Sequence, residues 1–347
     1  MQKDYSLQPL NTLQVNCVAK MYVDIPNTYQ LLQFIETQEW KENKHWILWW
    51  WSNTLFLNDY FDWIVLHPGI KGIELIKEDE NVVYLQVGAW EVWDDFVQYC
   101  LDNSFWWIEN LIAIPWNVWT SAVSNIWAYG QEVRNVIYEV IWVNLETNTI
   151  QKLGNDDCEF AYRDSIFKHD LEDKFIITHV VFKLQKIDEN YEYITSYKDV
   201  ETYFSSNWID FEKLAPLKKL QTISQAIHEI RKNKLPDHTK VWTAGSYFKN
   251  PELSLPERDV LEKKFPDLRA HLTDNETMKL SAWQLIELCW WKGKEVNKVK
   301  MYEKHALILI NANPSWKAVE DYAKNVQKSV YEKFWVHLEP EVRYCDN

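Results

Sequence analysis

Apolar and polar positions alternate with a period of two over residues 136–144, pause at Glu146-Thr147-Asn148, and alternate again over 149–153. That pattern predicts two strands joined by a hairpin, and a third strand follows over 175–185. Shorter strand-like runs lie at 45–49, 54–57, 64–67, 81–88 and 306–311. Helical spacing is carried by Leu31, Leu32, Phe34 and Ile35 behind a cap at Asn27 or Thr28, and by Val92, Phe96, Val97 and Cys100 over 91–102. Two longer helices are predicted from Leu220, Ile223, Ile227 and Ile230 over 217–232, and from Val319, Tyr322, Val326, Val330 and Phe334 over 316–334. Ser281 is expected to cap a further short helix. Residues 110–135 read as a long, loop-rich connection, and Lys234-Leu235-Pro236-Asp237 ends a helix and opens a new domain. Strands and helices are interspersed without regular β-α alternation, which predicts an α+β fold.

Composition changes this picture at its turns. The 347 residues include 7 glycines and 21 tryptophans, whereas average usage predicts about 24 glycines. The deficit and the excess are of similar size, as if tryptophan stands where glycine is expected. Trp335 follows the 316–334 helix where a left-handed residue is expected, and Asp62-Trp63 occupies the place of an Asp-Gly turn. The net charge of −14 argues against non-specific nucleic-acid binding. Cys17, Cys100, Cys158, Cys289 and Cys345 are odd in number and widely spaced, which fits a reducing compartment better than a disulfide framework or a zinc site. The nine histidines show no metal-ligand spacing, so no metal is expected. Residues 1–5 lack the apolar core of a signal peptide and no 18-residue apolar stretch follows, so a soluble cytoplasmic protein with no membrane partner is expected.

Several segments carry chemistry. Ile47-Leu48-Trp49-Trp50-Trp51-Ser52-Asn53 is fed by an apolar run and closed by Ser-Asn, like a phosphate-cradling loop whose glycines have become indoles. Ile114-Pro115-Trp116-Asn117-Val118-Trp119-Thr120 and Asn125-Ile126-Trp127-Ala128-Tyr129-Gly130 repeat the theme. Further on come Tyr162-Arg163-Asp164-Ser165-Ile166-Phe167-Lys168, Thr195-Ser196-Tyr197-Lys198-Asp199, Ala244-Gly245-Ser246-Tyr247-Phe248-Lys249-Asn250-Pro251 and Leu338-Glu339-Pro340-Glu341-Val342-Arg343. In this order, and over nearly the whole chain, they resemble the UDP-N-acetylenolpyruvoylglucosamine reductase (MurB) family, in its longer subclass with a tyrosine loop.

The resemblance implies an FAD-dependent enzyme that uses NADPH as co-substrate and acts on a UDP-sugar, as a cytoplasmic monomer. It implies a two-part FAD-binding region of the vanillyl-alcohol-oxidase/PCMH-like type, divided as 1–70 and 71–218. A substrate-binding α+β domain over 219–330 and a C-terminal segment over 331–347 that returns to the active site complete the expected division. By the same resemblance Trp49, Trp50, Trp51, Ser52, Asn53, Pro115, Trp116, Asn117, Val118, Trp119, Thr120, Asn125, Ile126, Tyr129 and Gly130 line the flavin site, together with Arg231 and Arg343. Arg163 takes the enolpyruvyl carboxylate, Ser246 donates a proton, and Glu341 assists at the same centre. Tyr197, Lys234 and Asn250 contact the substrate.

These residue types suit the reaction. A cation stabilises charge that develops on the substrate carboxylate, and a positioned hydroxyl protonates the neighbouring carbon once a carboxylate organises the proton path. Ser246, Arg163 and Glu341 are therefore expected in one pocket. The departures from the family pattern carry an expectation of their own. Indoles at 49, 50, 51, 116, 119 and 127 fill volume that a pyrophosphate or an isoalloxazine needs, so impaired or abolished flavin binding is expected. Two alternatives remain open: a non-catalytic or unstable variant of this scaffold, and another flavin oxidoreductase of the same superfamily.

Overall fold

The strands expected from alternation assemble into one antiparallel sheet, seen in a computed structural model that describes residues 1–48, 53–186, 191–237, 240–272 and 277–347. Its order is Thr149–Gly154, Ile137–Asn144, Phe175–Lys186, Val82–Gly88, Ile73–Glu78. In the central strands Val140 stands opposite Val180, and Val180 opposite Val87. All three are fully buried, as the inward face of a sheet with alternating side chains requires. The hairpin at 144–149 is closed by Asn144, whose side-chain oxygen accepts from the amides of Glu146 and Thr147 at 2.9 and 3.1 Å.

The chain divides into two compact units. One comprises Val23–Ile47 and Leu66–Asn233 and holds this sheet. Against it pack Trp93–Asp102, with Phe96 and Val97 wholly buried, and the short helix Val118–Val123. The second unit comprises Met1–Tyr22, Leu48–Val65 and Lys234–Asn347. It contains the sheet Trp242–Ser246, Ile308–Asn311, Val299–Met301, Glu295–Val296 and a three-stranded sheet of Glu252–Leu253, Met278–Leu280 and Ala270–Leu272. Its core gathers Leu55, Tyr247, Phe248, Leu285, Ile286, Leu309 and the inner face of Trp316–Phe334. Strand and helix do not alternate regularly in either unit, and the fold is α+β.

Local signals account for some of the helix bounds. Asn27 caps Thr28–Ile35 by accepting from Gln30 N–H at 2.9 Å. The expected stripe of Trp316–Phe334 is buried at every position, and Trp335 ends that helix in the left-handed conformation (φ 57°, ψ 25°). Leu220, Ile223, Ile227 and Ile230 are likewise the buried face of Pro216–Lys234.

Three local expectations are corrected. Asp62 and Trp63 are not a turn: they lie inside the strand Tyr60–His67, because Phe61, Ile64 and Val65 bury their side chains and hold the chain extended. Val92 is exposed and stands before the helix in extended conformation, bridged to Asn117, so the helix begins at Trp93. Ser281 precedes Ala282–Leu288 but makes no capping bond; Asn250 Oδ1 accepts from Ala282 N–H instead, at 2.9 Å.

Candidate active site

In the second unit the sequence places a glycine where a strand must deform. Trp242–Ser246 pairs with Ile308–Asn311 with Thr243 opposite Ile310 but Ser246 opposite Ile308, so one extra residue is accommodated as a bulge. Gly245 supplies it, at φ 74°, where a side chain is disfavoured. Its amide donates to Thr243 Oγ1 at 3.1 Å, and that hydroxyl donates to Leu309 O at 2.7 Å. Ser246, half-buried, follows the bulge directly.

The C-terminal segment is laid along the same edge by backbone bonds. Glu341 N–H donates to Tyr247 O at 2.8 Å, Lys249 N–H to Glu339 O at 2.9 Å, and Phe248 bridges Pro340. Asn53 clamps this segment from the other side: its Nδ2 donates to Glu341 O at 3.0 Å, and its carbonyl accepts from Arg343 N–H at 2.9 Å. From there Arg343–Cys345 runs parallel to Thr54–Phe56. Beneath, the wholly buried Tyr247 shares a hydroxyl contact with Tyr344 at 3.0 Å, and burial raises the Tyr247 phenol well above its ordinary value. Ser246, Glu341, Asn53 and Arg343 are thus neighbours along the backbone, although the members come from three distant stretches of chain. Asn250 is spent on the cap of Ala282–Leu288 through its oxygen, and exposed Lys234 ends Pro216–Lys234. Trp49, Trp50, Trp51 and Ser52 lie outside the described residues.

The first unit carries Arg163 and Arg231. Ala161 and Asp164 exchange backbone bonds of 3.1 and 3.2 Å around Tyr162-Arg163, and Arg163 takes a left-handed φ of 58°. Such a conformation is unfavourable for a long side chain. The turn is held from outside: Asn125 Nδ2 donates to Ala161 O at 2.8 Å and to Glu132 Oε1 at 2.6 Å, and Lys168 Nζ donates to Arg163 O at 2.6 Å. Asp164 pairs with His169 at 2.6 Å, which raises the imidazole above its ordinary value. The Arg163 guanidinium donates to Trp127 O at 3.2 Å and lies 5.9 Å from the Trp116 ring.

Trp127–Ala128 and Gln131–Glu132 form a hairpin whose two-residue loop is Tyr129-Gly130, at φ 47° and 84°. Two positive φ values in succession are the primed turn that two-residue hairpins prefer. A Cβ on Gly130 would come within 2.6 Å of Ile194 Cγ2, so glycine is required there twice over. The Tyr197 ring lies 5.6 Å from Tyr129 and 6.4 Å from Trp127. Arg231 donates through Nε to Ala113 O at 3.0 Å. Burial pushes this guanidinium below its ordinary value, the hydrogen-bonded Tyr129 phenol opposes that, and the Arg163 cation adds to it. Arg163, Arg231, Tyr129 and Tyr197 therefore form one cationic and aromatic group.

The second segment expected to contact the flavin, 114–120, has backbone donors engaged within the chain. Val118 N–H donates to Glu91 O at 2.9 Å, Trp119 N–H to Ala89 O at 3.0 Å, Thr120 N–H to Asn117 O at 3.1 Å, and Trp116 N–H to Ile114 O at 2.8 Å. Asn117 Nδ2 donates to Trp90 O at 3.0 Å, and Ile126 N–H to Ser121 O at 3.3 Å. Trp119 is buried and stacks on Trp90 at 5.8 Å. Pro115 is exposed beside it.

Sequence reasoning passed over a buried polar group beside this hairpin: Glu109, Asn110, Gln131 and Tyr191. A carboxylate within the apolar run Ile108–Ile114 was the available signal. Burial pushes the Glu109 carboxyl above its ordinary value. A cavity of about 550 Å3 lined by Arg134, Asn155, Asp156 and Glu159 contains none of the expected site residues. Among the described residues, no group of His, Cys, Asp or Glu is arranged to hold a metal ion, and no helix is long and apolar enough to cross a membrane.

Comparison with known proteins bears on these two residue groups together. Residues 237–345 match the UDP-N-acetylenolpyruvoylglucosamine reductase C-terminal domain family. The UDP-N-acetylenolpyruvoylglucosamine reductase of Flavobacterium johnsoniae is 36% identical over 99% of this chain and 98% of its own length. That of Bdellovibrio bacteriovorus is 35% identical over 98% of each. The crystal structure of the Thermus caldophilus enzyme (MurB) superposes with a TM-score of 0.65 at 19% identity, over 98% of this chain and 97% of that one, and so shares the fold. By identity over full length, the chain belongs to the UDP-N-acetylenolpyruvoylglucosamine reductase family of oxidoreductases.

Proposed function

We propose that this chain is built to reduce the enolpyruvyl ether of UDP-N-acetylglucosamine to UDP-N-acetylmuramate, a step of peptidoglycan precursor synthesis, with FAD and NADPH as the carriers of the family. The observation that supports it most directly is the bond from Glu341 N–H to Tyr247 O, which holds the backbone of Glu341 one peptide away from Ser246. Ser246 Oγ–H gives its proton to the carbon beside the substrate carboxylate: the O–H bond breaks and a C–H bond forms. Glu341 orients that hydroxyl or a water that recharges it. Arg163 takes the carboxylate, and its strained backbone is the kind of outlier that accompanies functional placement. Tyr197, Lys234 and Asn250 are assigned to the UDP-sugar and its diphosphate. Asn53, Asn125, Ile126, Tyr129, Gly130, Arg231 and Arg343 are assigned to the flavin face. The reading carries a monomeric, cytoplasmic protein.

Hydride delivery is what the flavin contributes in this family, and no step is assigned to it in this chain. The bonded amides of Val118 and Trp119 and the buried Trp119 indole favour a second reading, in which the folded chain holds the substrate but little or no flavin. Titration of purified protein with FAD, followed by absorbance near 450 nm, separates the two. Tight, stoichiometric flavin binding by the unaltered chain would overturn the second; no flavin binding even after glycine is introduced at 49, 50, 51, 116, 119 and 127 would overturn the first.

A further inference from the structure

Glu109 is almost completely buried, 1% exposed, and among the described residues no cation is paired with it. Its partners are neutral donors. Tyr191 OH and Gln131 Nε2 each donate to Oε1 at 2.6 Å, and Trp107 N–H donates to Oε2 at 3.0 Å. The neighbouring Asn110 extends the group: its N–H donates to Gln131 Oε1 at 2.8 Å, and its Nδ2 to Tyr129 O at 2.8 Å and to Ile194 O at 2.9 Å. Removing a buried, fully bonded carboxyl leaves its donors without an acceptor, so Tyr191, Gln131 and Trp107 N–H are held in place through it.

What it organises is the segment that leads to Tyr197. Tyr191 is fastened through its hydroxyl and through its ring, which packs on Trp106 at 4.0 Å. Ile194 is fastened through its carbonyl and sits against Gly130, where a Cβ would come within 2.6 Å of Ile194 Cγ2. Three residues later, Tyr197 faces Tyr129 at the tip of the hairpin that Gln131 and Asn110 also hold. One carboxylate therefore ties both the hairpin and the 191–197 segment to the same short helix, Glu109–Leu111.

We propose that Glu109 is a positioning residue for the UDP-sugar site: through Tyr191, and with Asn110 through Ile194, it fixes Tyr197 over the Tyr129 hairpin. The inference rests on the assignment of Tyr197 to substrate made above. It needs neither flavin nor turnover for its test, because the group is a local clamp.

The test uses the full chain and the variants Glu109→Gln, Tyr191→Phe and Tyr197→Ala, with UDP-N-acetylglucosamine as the probe. Tyr191→Phe keeps the ring and removes one hydroxyl, so it remains informative if Glu109→Gln fails to fold. Hydrogen exchange of amides 191–200 is expected to speed about tenfold in the clamp variants, while the Phe175–Lys186 strand keeps its protection. UDP-N-acetylglucosamine affinity is expected to fall in them by about as much as in Tyr197→Ala. Unchanged exchange over 191–200, or exchange raised equally throughout the unit, overturns the inference, since either leaves Glu109 with only a general structural role. If Tyr197→Ala weakens the sugar while the clamp variants do not, the inference fails and the assignment of Tyr197 stands. If Tyr197→Ala leaves the sugar unaffected, that assignment is what fails, and the positioning role falls with it.

Discussion

The backbone amide of Glu341 donates to the carbonyl of Tyr247 at 2.8 Å, so a residue near the C-terminus is held one peptide away from Ser246. The tether uses only the main chain, and the Glu341 side chain is exposed. Position and chemistry are thereby separable. In a background with glycine at 49, 50, 51, 116, 119 and 127, Ser246→Ala is expected to lower kcat by about 10²–10⁴. Glu341→Gln should lower it less, and either substitution should move stability by under about 0.5 kcal/mol. Steady-state kinetics beside a thermal melt checks this, and a loss of stability that parallels the loss of rate would show that the residues are structural.

Trp208, Trp290 and Trp335 all take left-handed φ, at 54°, 63° and 57°, and all are well exposed. An L-residue with a Cβ pays roughly 1–2 kcal/mol there and glycine pays little of it. Trp335 recovers part of that cost, because Lys264 Nζ lies 4.1 Å from its ring. Glycine at each site is expected to raise the melting temperature, with the smallest gain at 335.

Trp119 should respond with the opposite sign. It is 1% exposed and stacked on Trp90, so removing the indole leaves a cavity. Trp119→Gly is expected to cost about 3–5 kcal/mol, by analogy with other large-to-small core changes. A melt lowered at 119 and raised at 335 and 290 would separate indoles that have become core from indoles that merely occupy a turn.

The Glu109 carboxyl is pushed up from its ordinary value of 4.5 by burial, ahead of the hydrogen bonds that oppose it. For an acid raised in the folded state, the associated stability is complete below the unfolded value and is lost as pH rises through the folded one. The melting temperature relative to Glu109→Gln should therefore fall as pH climbs above the ordinary carboxylate range. A difference independent of pH would mean that the group does not titrate with folding.

Local rules written in the chain account for a definite part of this molecule. Asn27 caps a helix, a five-residue stripe from Val319 to Phe334 is buried, and Trp335 turns left-handed, because each depends on residues within a turn or two of one another. The motif order from Ile47 to Arg343 also carried the family, since a family pattern is a linear property. Other outcomes needed the folded chain. Asp62-Trp63 became strand because Phe61, Ile64 and Val65 found a core to enter, and Asn250 took the cap expected of Ser281 because folding brought its oxygen to Ala282 N–H. Val118 and Trp119 were expected to line the flavin site, and their amides are bonded to Glu91 and Ala89. Periodicity reports which face of an element is buried, but a hydrogen bond between remote stretches depends on where the backbone travels in between. Only the tertiary arrangement decides which donors remain for a ligand, and here it gathered Gln131 and Tyr191 around the buried Glu109 carboxyl, which no local pattern explains.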